Sequence, residues 1–365
     1  MGFNCGIVGL PNVGKSTLFN ALTATAAAQA ANFPFCTIEP NVGRVAVPDA
    51  RLDQLADIGK SQKIIPTQLE IVDIAGLVKG ASKGEGLGNK FLANIRETDA
   101  VIHVLRCFDD ENITHVEGSV DPIRDAEIIE MELMIADMES LERQIDNLTK
   151  KAKGDKTLTG QLDLMKRVKA ALDEGKPARS VSLADDEKQM FEMMQLLSSK
   201  RVVYVANVLE KDVASGNEWT RKVEAMAKAH GTEAVVICAE IESEIAQLSS
   251  AEDKKEFLDS LGLEEPGLDK IIRAGYTTLG LQTYFTVGPK EARAWTIHKG
   301  DKAPQAAGVI HTDFEKGFIK AEVISFADFV AYKGEQGAKD VGKARQEGKE
   351  YVVADGDVVH FRFNV

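Results

Sequence analysis

A phosphate-binding pattern close to the N-terminus constrains this chain more than any other feature. Residues 9–16 match G-x-x-x-x-G-K-[ST] at every position. The apolar residues 3–8 before it predict a buried strand, and residues 17–22 after it predict a helix. In such a unit, glycines let backbone N–H groups surround an anion at the positive end of a helix. The pattern predicts contacts to nucleotide phosphates from Asn12, Val13, Gly14, Lys15, Ser16 and Thr17.

Three residues in and after this loop are candidates for charge neutralisation and metal binding. Lys15 is expected to contact the β- and γ-phosphates as the catalytic cation, and the Ser16 hydroxyl is expected to bind Mg²⁺. Thr37, in the segment 33–41, is expected to be a second hydroxyl ligand of Mg²⁺; an ordinary loop threonine is the alternative.

A D-x-x-G pattern begins at Asp73, after an apolar run that predicts a strand. Asp73 is expected to hold Mg²⁺ through water, and the Gly76 N–H is expected to sense the γ-phosphate. Ras-like enzymes carry a water-orienting glutamine after this glycine, but this chain has Leu77. Hydrolysis must therefore use another group or be slow without a partner. His115 is the candidate for that group, and a surface histidine is the alternative.

Another short segment occupies the position of the base-reading loop. In GTPases a strand is followed there by N-K-x-D, whose aspartate accepts hydrogen bonds from guanine. This chain lacks the lysine and carries glutamate for aspartate. Adenine has no 2-amino group, so we expect ATP to be preferred, with GTP as the alternative. The expected base-contacting residues are Asn207, Val208, Leu209 and Glu210.

Apolar runs that alternate with helical patterns predict an α/β fold with a mostly parallel sheet. These runs are residues 42–47, 69–72, 100–105, 202–206 and 234–238. Between the third and the fourth, apolar residues spaced by three and four predict two long antiparallel helices. Their expected seam residues include Ile128, Met131, Leu141, Leu162 and Val168.

Short strand patterns return after residue 281 and predict a compact α+β domain. We therefore expect a split nucleotide-binding domain over residues 1–110 and 200–280, an inserted helical arm over 111–199, and a C-terminal domain over 281–365.

The charge of the chain is unevenly distributed. The net charge is −13, and residues 281–365 hold equal numbers of basic and acidic residues, so the negative charge lies in the preceding part. This disfavours indiscriminate nucleic-acid binding. The C-terminal domain is the first expected surface for an RNA partner. The second is a lysine cluster at the tip of the helical arm, for which a solvated turn is the alternative: Lys150, Lys151, Lys153 and Lys156.

Targeting signals and cysteine pairs are not evident in the sequence. No apolar run approaches the roughly 18 residues of a membrane span, and we expect no secretory signal and no membrane partner. The four cysteines are far apart in sequence and are expected to be reduced thiols in a cytoplasmic protein. Cys36 is interpreted as a small loop residue, with redox sensitivity as the alternative.

These motifs together resemble the YchF/Obg-like ATPase family of translation-factor-related P-loop NTPases. The resemblance rests on residues 9–16, 33–41, 73–88 and 207–210 and extends over the whole chain. It implies Mg²⁺-dependent ATP hydrolysis in the cytoplasm and association with the ribosome, in particular its large subunit, or with RNA. It also implies that residues 281–365 form a ubiquitin-like TGS domain. Asn12 resembles an asparagine that lets related NTPases use K⁺; the alternative is that it braces the loop.

The expected function is thus a nucleotide-dependent switch that cleaves the β–γ phosphoanhydride of ATP. A GTPase and an ATP-gated adaptor with negligible turnover are the alternatives. The sequence leaves the oligomeric state open.

Overall fold

The computed structural model describes residues 3–30, 41–74 and 87–364. These divide into two compact units, of which the first is Met1–Val45 with Glu70–Gly275 and the second is Ala46–Leu69 with Tyr276–Val365. As far as residue 278 the elements are β1 (Asn4–Val8), α1 (Lys15–Ala30), β2 (Val42–Ala46), α2 (Ala50–Gly59), β3 (Ile64–Ile65), β4 (Gln68–Asp73), α3 (Leu87–Glu97), β5 (Ala100–Arg106), α4 (Pro122–Ala152), α5 (Thr159–Asp173), α6 (Lys188–Met193), β6 (Arg201–Asn207), α7 (Glu218–Ala229), β7 (Ala234–Ile237), α8 (Ala239–Gln247), α9 (Ala251–Ser260) and α10 (Gly267–Thr278).

The remaining elements follow this tenth helix. They are β8 (Leu281–Val287), β9 (Ala292–His298), α11 (Ala303–Ile310), α12 (Thr312–Lys316), β10 (Phe318–Ile324), α13 (Phe326–Ala331), α14 (Glu335–Asp340), β11 (Arg345–Glu347) and β12 (Val358–Phe363).

The first unit is built on a six-stranded sheet with the order β2-β4-β1-β5-β6-β7. The pairs β1–β4, β1–β5, β5–β6 and β6–β7 are parallel. All seven residues of β5 are buried, as expected for a parallel strand covered on both faces. The order places β1 between β4 and β5. In open sheets of this kind, ligands bind outside the carboxyl ends of the strands at the topological switch point, where the strand order reverses.

The helical arm consists of more than the two helices that the sequence predicts. On α5, Leu162 and Val168 are buried as expected, and Val168 packs in one cluster with Leu141 of α4. Phe191 of α6 also packs against this cluster. The expectation for the first half of α4 is wrong at Met131, because this side chain is 57% exposed. This part of α4 packs against β5 and α7 instead, which turns a different face inward.

The second unit has its own sheet, with the order β11-β10-β12-β8-β9-β3. The pairs β8–β9 and β10–β12 are antiparallel, whereas β12 runs parallel to β8, with Val358 opposite Phe285. The connection from β9 to β10 contains α11, whose Ala303 and Ala307 are buried against this sheet. This unit thus combines a central parallel pair, antiparallel neighbours and a crossing helix, and the ubiquitin-like TGS domain that the family resemblance implies stays a prediction.

Residues 46–69 belong to this second unit, although the sequence-based division places them in the nucleotide-binding domain. Leu52 and Leu55 of α2 pack in one cluster with Phe285, and β3 pairs with β9. Arg51 forms an ion pair with Asp355 at 2.7 Å. These contacts join segments more than 200 residues apart, so local composition does not reveal them. The second boundary falls after residue 275, within α10, instead of after residue 280.

Two further sequence expectations concern membranes and thiols. Among the described residues, none of the helices combines the length and the apolar character that crossing a membrane requires. Cys5, Cys107 and Cys238 are free and buried. Burial raises the pKa of both Cys5 and Cys107 to about 12, which keeps these thiols protonated. Cys36 lies outside the described residues.

Candidate nucleotide-binding site

The phosphate-binding loop connects β1 to α1 and uses two left-handed backbone positions. Asn12 has a φ of 62° and Gly14 has a φ of 93°. A Cβ atom on Gly14 would lie 2.2 Å from Nδ2 of Asn207, so any larger residue would clash there. The helix begins at Lys15, and the Leu18 N–H donates to the Gly14 carbonyl at 3.0 Å. The loop therefore ends at a helix N-terminus, the arrangement that binds phosphate groups.

Lys15 and Asp73 form an ion pair at the carboxyl ends of the parallel strands. Lys15 is the first residue of α1 and Asp73 is the last residue of β4. Their side chains are 11% and 18% exposed, so the pair is shielded but reachable from solvent. In this conformation the carboxylate neutralises the ammonium group that the sequence assigns to the phosphates. A phosphate chain would compete with Asp73 for Lys15.

The described residues fit a shared magnesium site, in which the nucleotide supplies part of the coordination. Ser16 is exposed in the first turn of α1, and Asp73 supplies one carboxylate. Among the described residues, no cluster of three or more His, Cys, Asp or Glu side chains could hold a metal alone. Mg²⁺ commonly binds through one or two protein groups plus substrate phosphates and water, and this donor set suits it.

Asn207, the last residue of β6, links two loops of the site. Its Nδ2 donates to the Val13 carbonyl and its Oδ1 accepts from the Ala239 N–H, both at 2.9 Å. The side chain is buried at 4% exposure, and Val208 is buried as well. The structure thus directs the first two predicted base-contacting side chains inward. Leu209 is half-buried and Glu210 is exposed, so these two remain for the base.

His115 is buried, in contrast to the surface position given as the alternative in the sequence analysis. Its Nε2 lies 2.8 Å from Oδ2 of Asp125, and its Nδ1 accepts from the Glu117 N–H at 3.1 Å. Because Nδ1 accepts, Nε2 carries the proton and donates to Asp125. Both ring nitrogens are therefore occupied in this conformation, and positioning a water molecule would require one of these bonds to open.

The segment that carries His115 is hydrogen-bonded to the phosphate-binding loop. Nδ2 of Asn12 donates to the Thr114 carbonyl at 3.1 Å. This bond shows the bracing role that the sequence analysis gave as the alternative for Asn12. It leaves the Asn12 side-chain oxygen as the atom available to a cation.

Several predicted residues lie outside the described part of the chain. They are Thr37, Gly76 and Leu77. The sequence analysis in turn missed Arg106, which is buried at the end of β5 and donates to three backbone carbonyls. The signal that could have revealed it is the single arginine directly after the mostly apolar run 100–105.

Comparisons with known proteins agree with this geometry. Residues 4–152 match a family model described as "50S ribosome-binding GTPase". Residues 281–364 match the model of the C-terminal domain of YchF GTPases, described as "Protein of unknown function (DUF933)". The "Ribosome-binding ATPase YchF" of Haemophilus influenzae is 58% identical over 366 residues, covering 100% of both chains. The chain belongs to the YchF family.

Other YchF-family members and a solved structure extend this result. The "Ribosome-binding ATPase YchF" of Bacillus subtilis is 55% identical, again over 100% of both chains. The "Obg-like ATPase 1" of Pongo abelii is 49% identical over 98% of this chain and 92% of its own. The YchF GTPase structure of Schizosaccharomyces pombe superimposes with a TM-score of 0.90 at 40% identity, covering 99% and 98% of the two chains. The predicted fold class, a P-loop NTPase domain followed by a C-terminal domain with its own sheet, is confirmed.

Proposed function

We propose that this chain is an ATPase that binds ribosomes and works as a nucleotide-dependent switch in the cytoplasm. The full-length relatives named "Ribosome-binding ATPase YchF" support this proposal. The observation that carries it is the placement of Lys15 at the helix N-terminus, paired with Asp73 at the end of the neighbouring strand. The Lys15 ammonium group is thus positioned to bind an incoming phosphate chain.

Catalysis would be a matter of positioning and charge neutralisation. Backbone N–H groups of residues 13–17 would bind the phosphates, and Lys15 would neutralise charge on the β- and γ-phosphates. Ser16, Thr37 and Asp73 would hold Mg²⁺, directly or through water. The bound ion would neutralise charge on the phosphate oxygens. The Gly76 N–H would contact the γ-phosphate.

The attacking water needs a partner other than the missing glutamine, and we propose His115. The Thr114 carbonyl bonded to Asn12 places this histidine one residue away from a contact with the phosphate-binding loop. His115 would take up its role after releasing Asp125 or the Glu117 N–H. A catalytic group that must first break a buried hydrogen bond is consistent with slow turnover without a partner.

The exposed carboxylate of Glu210 supports a preference for ATP. It is one methylene longer than the aspartate of the guanine-reading pattern, and the lysine of that pattern is replaced by the buried Val208. A GTPase is the second candidate, because one family model and the Schizosaccharomyces pombe structure carry that name. An adaptor with negligible turnover is the third candidate.

Competitive titration separates these candidates. Labelled ATP and GTP are titrated in Mg²⁺, and phosphate release from each is measured with and without ribosomes. We expect tighter binding of ATP and phosphate release from ATP. Tighter binding of GTP would support the GTPase, and ATP binding without phosphate release would support the adaptor. Replacing Na⁺ by K⁺ in the same assay tests the Asn12 side-chain oxygen as a cation ligand, since K⁺ should then raise turnover.

We propose two surfaces for the ribosome, namely the charge-neutral C-terminal unit and the tip of the helical arm. Lys150, Lys151 and Lys153 are exposed at that tip. The turn beside them is fixed, because the Asp155 carboxylate accepts from the N–H and the hydroxyl of Thr157. A cluster of exposed lysines suits contact with phosphates, and such binding weakens steeply with salt.

Co-sedimentation with ribosomes tests the arm tip. Changing the three tip lysines to glutamate should weaken binding, whereas Lys166→Glu, an exposed position on α5, is the matched control. Truncation before Leu281 is a poor test of the C-terminal unit, because it would uncover Leu52 and Leu55 of α2. Lys299→Glu with Lys316→Glu changes only exposed positions and should leave that fold intact. Unchanged sedimentation of both multiple variants would refute the two proposed surfaces.

A further inference from the structure

Arg106 is a buried cation that the proposed chemistry does not use directly. It ends β5, is 1% exposed, and lies opposite Asn207 in the pairing with β6. A guanidinium group buried to this degree is costly unless its N–H groups are satisfied. Among the described residues Arg106 has no carboxylate partner within ion-pair distance, so its partners must be of another kind.

Those partners are three backbone carbonyls of the segment that follows β5. Nε donates to Phe108 at 3.0 Å, Nη1 donates to Ile113 at 2.9 Å, and Nη2 donates to Asp110 at 3.3 Å. The guanidinium also lies over the Phe108 ring, 4.7 Å from its centroid. A rigid planar fork can bond several acceptors at once, which the single ammonium of lysine cannot match. Arg106 thus fixes the course of residues 108–113.

Both ends of this segment are bonded to the nucleotide-binding site. At its start, the Cys107 N–H donates to the Asn207 carbonyl at 2.8 Å. At its end, Thr114 accepts from Asn12 of the phosphate-binding loop. His115 follows directly. The guanidinium therefore holds the middle of a segment that runs from one wall of the site to the proposed water-positioning residue.

We propose that Arg106 is a positioning residue for ATP hydrolysis, which acts by holding residues 108–115 against the phosphate-binding loop. The inference rests on the proposed function, because it presupposes ATP hydrolysis at this loop. Among the described residues, the hydrogen bonds of Arg106 go to this segment and not to the phosphate-binding loop, so nucleotide binding should survive its replacement. Turnover should not, because a displacement of about 1 Å of a catalytic group can cost on the order of 100-fold in rate.

The test compares Arg106→Lys with Arg179→Lys in the full-length chain. Arg179 is a matched control because it is also mostly buried in the first unit, where it pairs with Glu130. In the described part of the chain its hydrogen bonds go elsewhere than residues 107–115, for example to the Ser198 carbonyl. Affinity for a fluorescent ATP analogue and kcat are measured well below the melting temperature of each variant. Arg106→Gln, which keeps two donors, serves as a second variant if Arg106→Lys does not fold.

We expect Arg106→Lys to lower kcat by about 10-fold to 100-fold and to change the dissociation constant by less than about 3-fold. Amide exchange of residues 108–118 should become faster. Arg179→Lys should leave kcat unchanged. Combining Arg106→Lys with His115→Ala should cost less than the product of the two separate losses, because both act through one group.

Several outcomes would overturn the inference. They are an unchanged kcat in Arg106→Lys, an equal loss in Arg179→Lys, or losses that multiply fully in the double variant. Each of these leaves the proposed ATPase intact, because the unaltered protein still hydrolyses ATP in the same assay. Absence of hydrolysis by the unaltered protein would instead refute the proposed function, and the inference with it.

Discussion

Replacing Asp73 with asparagine should change nucleotide affinity in opposite directions with and without Mg²⁺. Without the metal, ATP must take Lys15 away from Asp73, so the wild-type ion pair opposes binding. Asparagine removes that competing charge and should tighten binding. With Mg²⁺ present, Asp73 is proposed to hold the ion, and its loss should weaken binding. The sign reversal distinguishes this dual role from a general disturbance of the loop.

The magnitudes follow from the burial of the pair. A hydrogen bond to a charged group contributes about 1.5–3 kcal/mol when well shielded. The Lys15 and Asp73 side chains are 11% and 18% exposed, so solvent screens their interaction modestly. About 1–2 kcal/mol remains, which corresponds to roughly 5-fold to 30-fold tighter binding in EDTA. Loss of a group that orients a metal typically lowers the affinity for that metal by about 10-fold to 100-fold.

Equilibrium titration of a fluorescent ATP analogue in EDTA and in Mg²⁺ measures both effects. Glu70→Gln is the matched control. It removes another carboxylate of β4, one that pairs with Arg44 at 3.2 Å. This control should shift neither affinity. The reasoning would be refuted if Asp73→Asn weakened binding to the same extent in both buffers.

Three further predictions concern buried polar side chains. Asn207→Ala leaves two buried backbone groups without partners and should lower the free energy of unfolding, measured in urea, by about 2–4 kcal/mol. It should weaken the binding of ATP and the binding of GTP equally. His115→Ala should lower kcat with binding intact; an unchanged kcat would leave His115 with a structural role. Burial and the charge of Arg179 lower the pKa of His103 to about 3, from 6.5 in the unfolded chain. The unfolded state binds the extra proton, so stability should fall as pH drops from 6.5 towards 3, and His103→Leu should reduce this loss.

Strands and helices with continuous local patterns were predictable from the sequence. The expected strands 100–105 and 202–206 lie within β5 and β6, because runs rich in apolar and β-branched residues favour such elements. The assignment of α2 and β3 to the second unit could not be predicted from the sequence. The pairing of Ile64 with Ala292 depends on segments far apart in the chain, and a two-residue strand has too little pattern to be recognised.

The candidate site shows the same division between local and distant information. The G-x-x-x-x-G-K-[ST] pattern specifies a loop whose geometry depends on neighbours in sequence, and the left-handed Gly14 follows from it. The hydrogen-bond partners of the site residues could not be predicted from such local patterns. The inward direction of Asn207, the bond between His115 and Asp125, and the three carbonyls around Arg106 all result from tertiary packing.

The most direct test of the proposed ATP hydrolysis compares the unaltered protein with Lys15→Ala. Phosphate release from ATP is measured for both in Mg²⁺ and at matched protein concentration. We expect slow release by the unaltered protein, below the roughly 1–100 s⁻¹ of kinases. Lys15→Ala should abolish this release, whereas Lys166→Glu on α5 should retain it. Release of phosphate by Lys15→Ala at the rate of the unaltered protein would contradict the account.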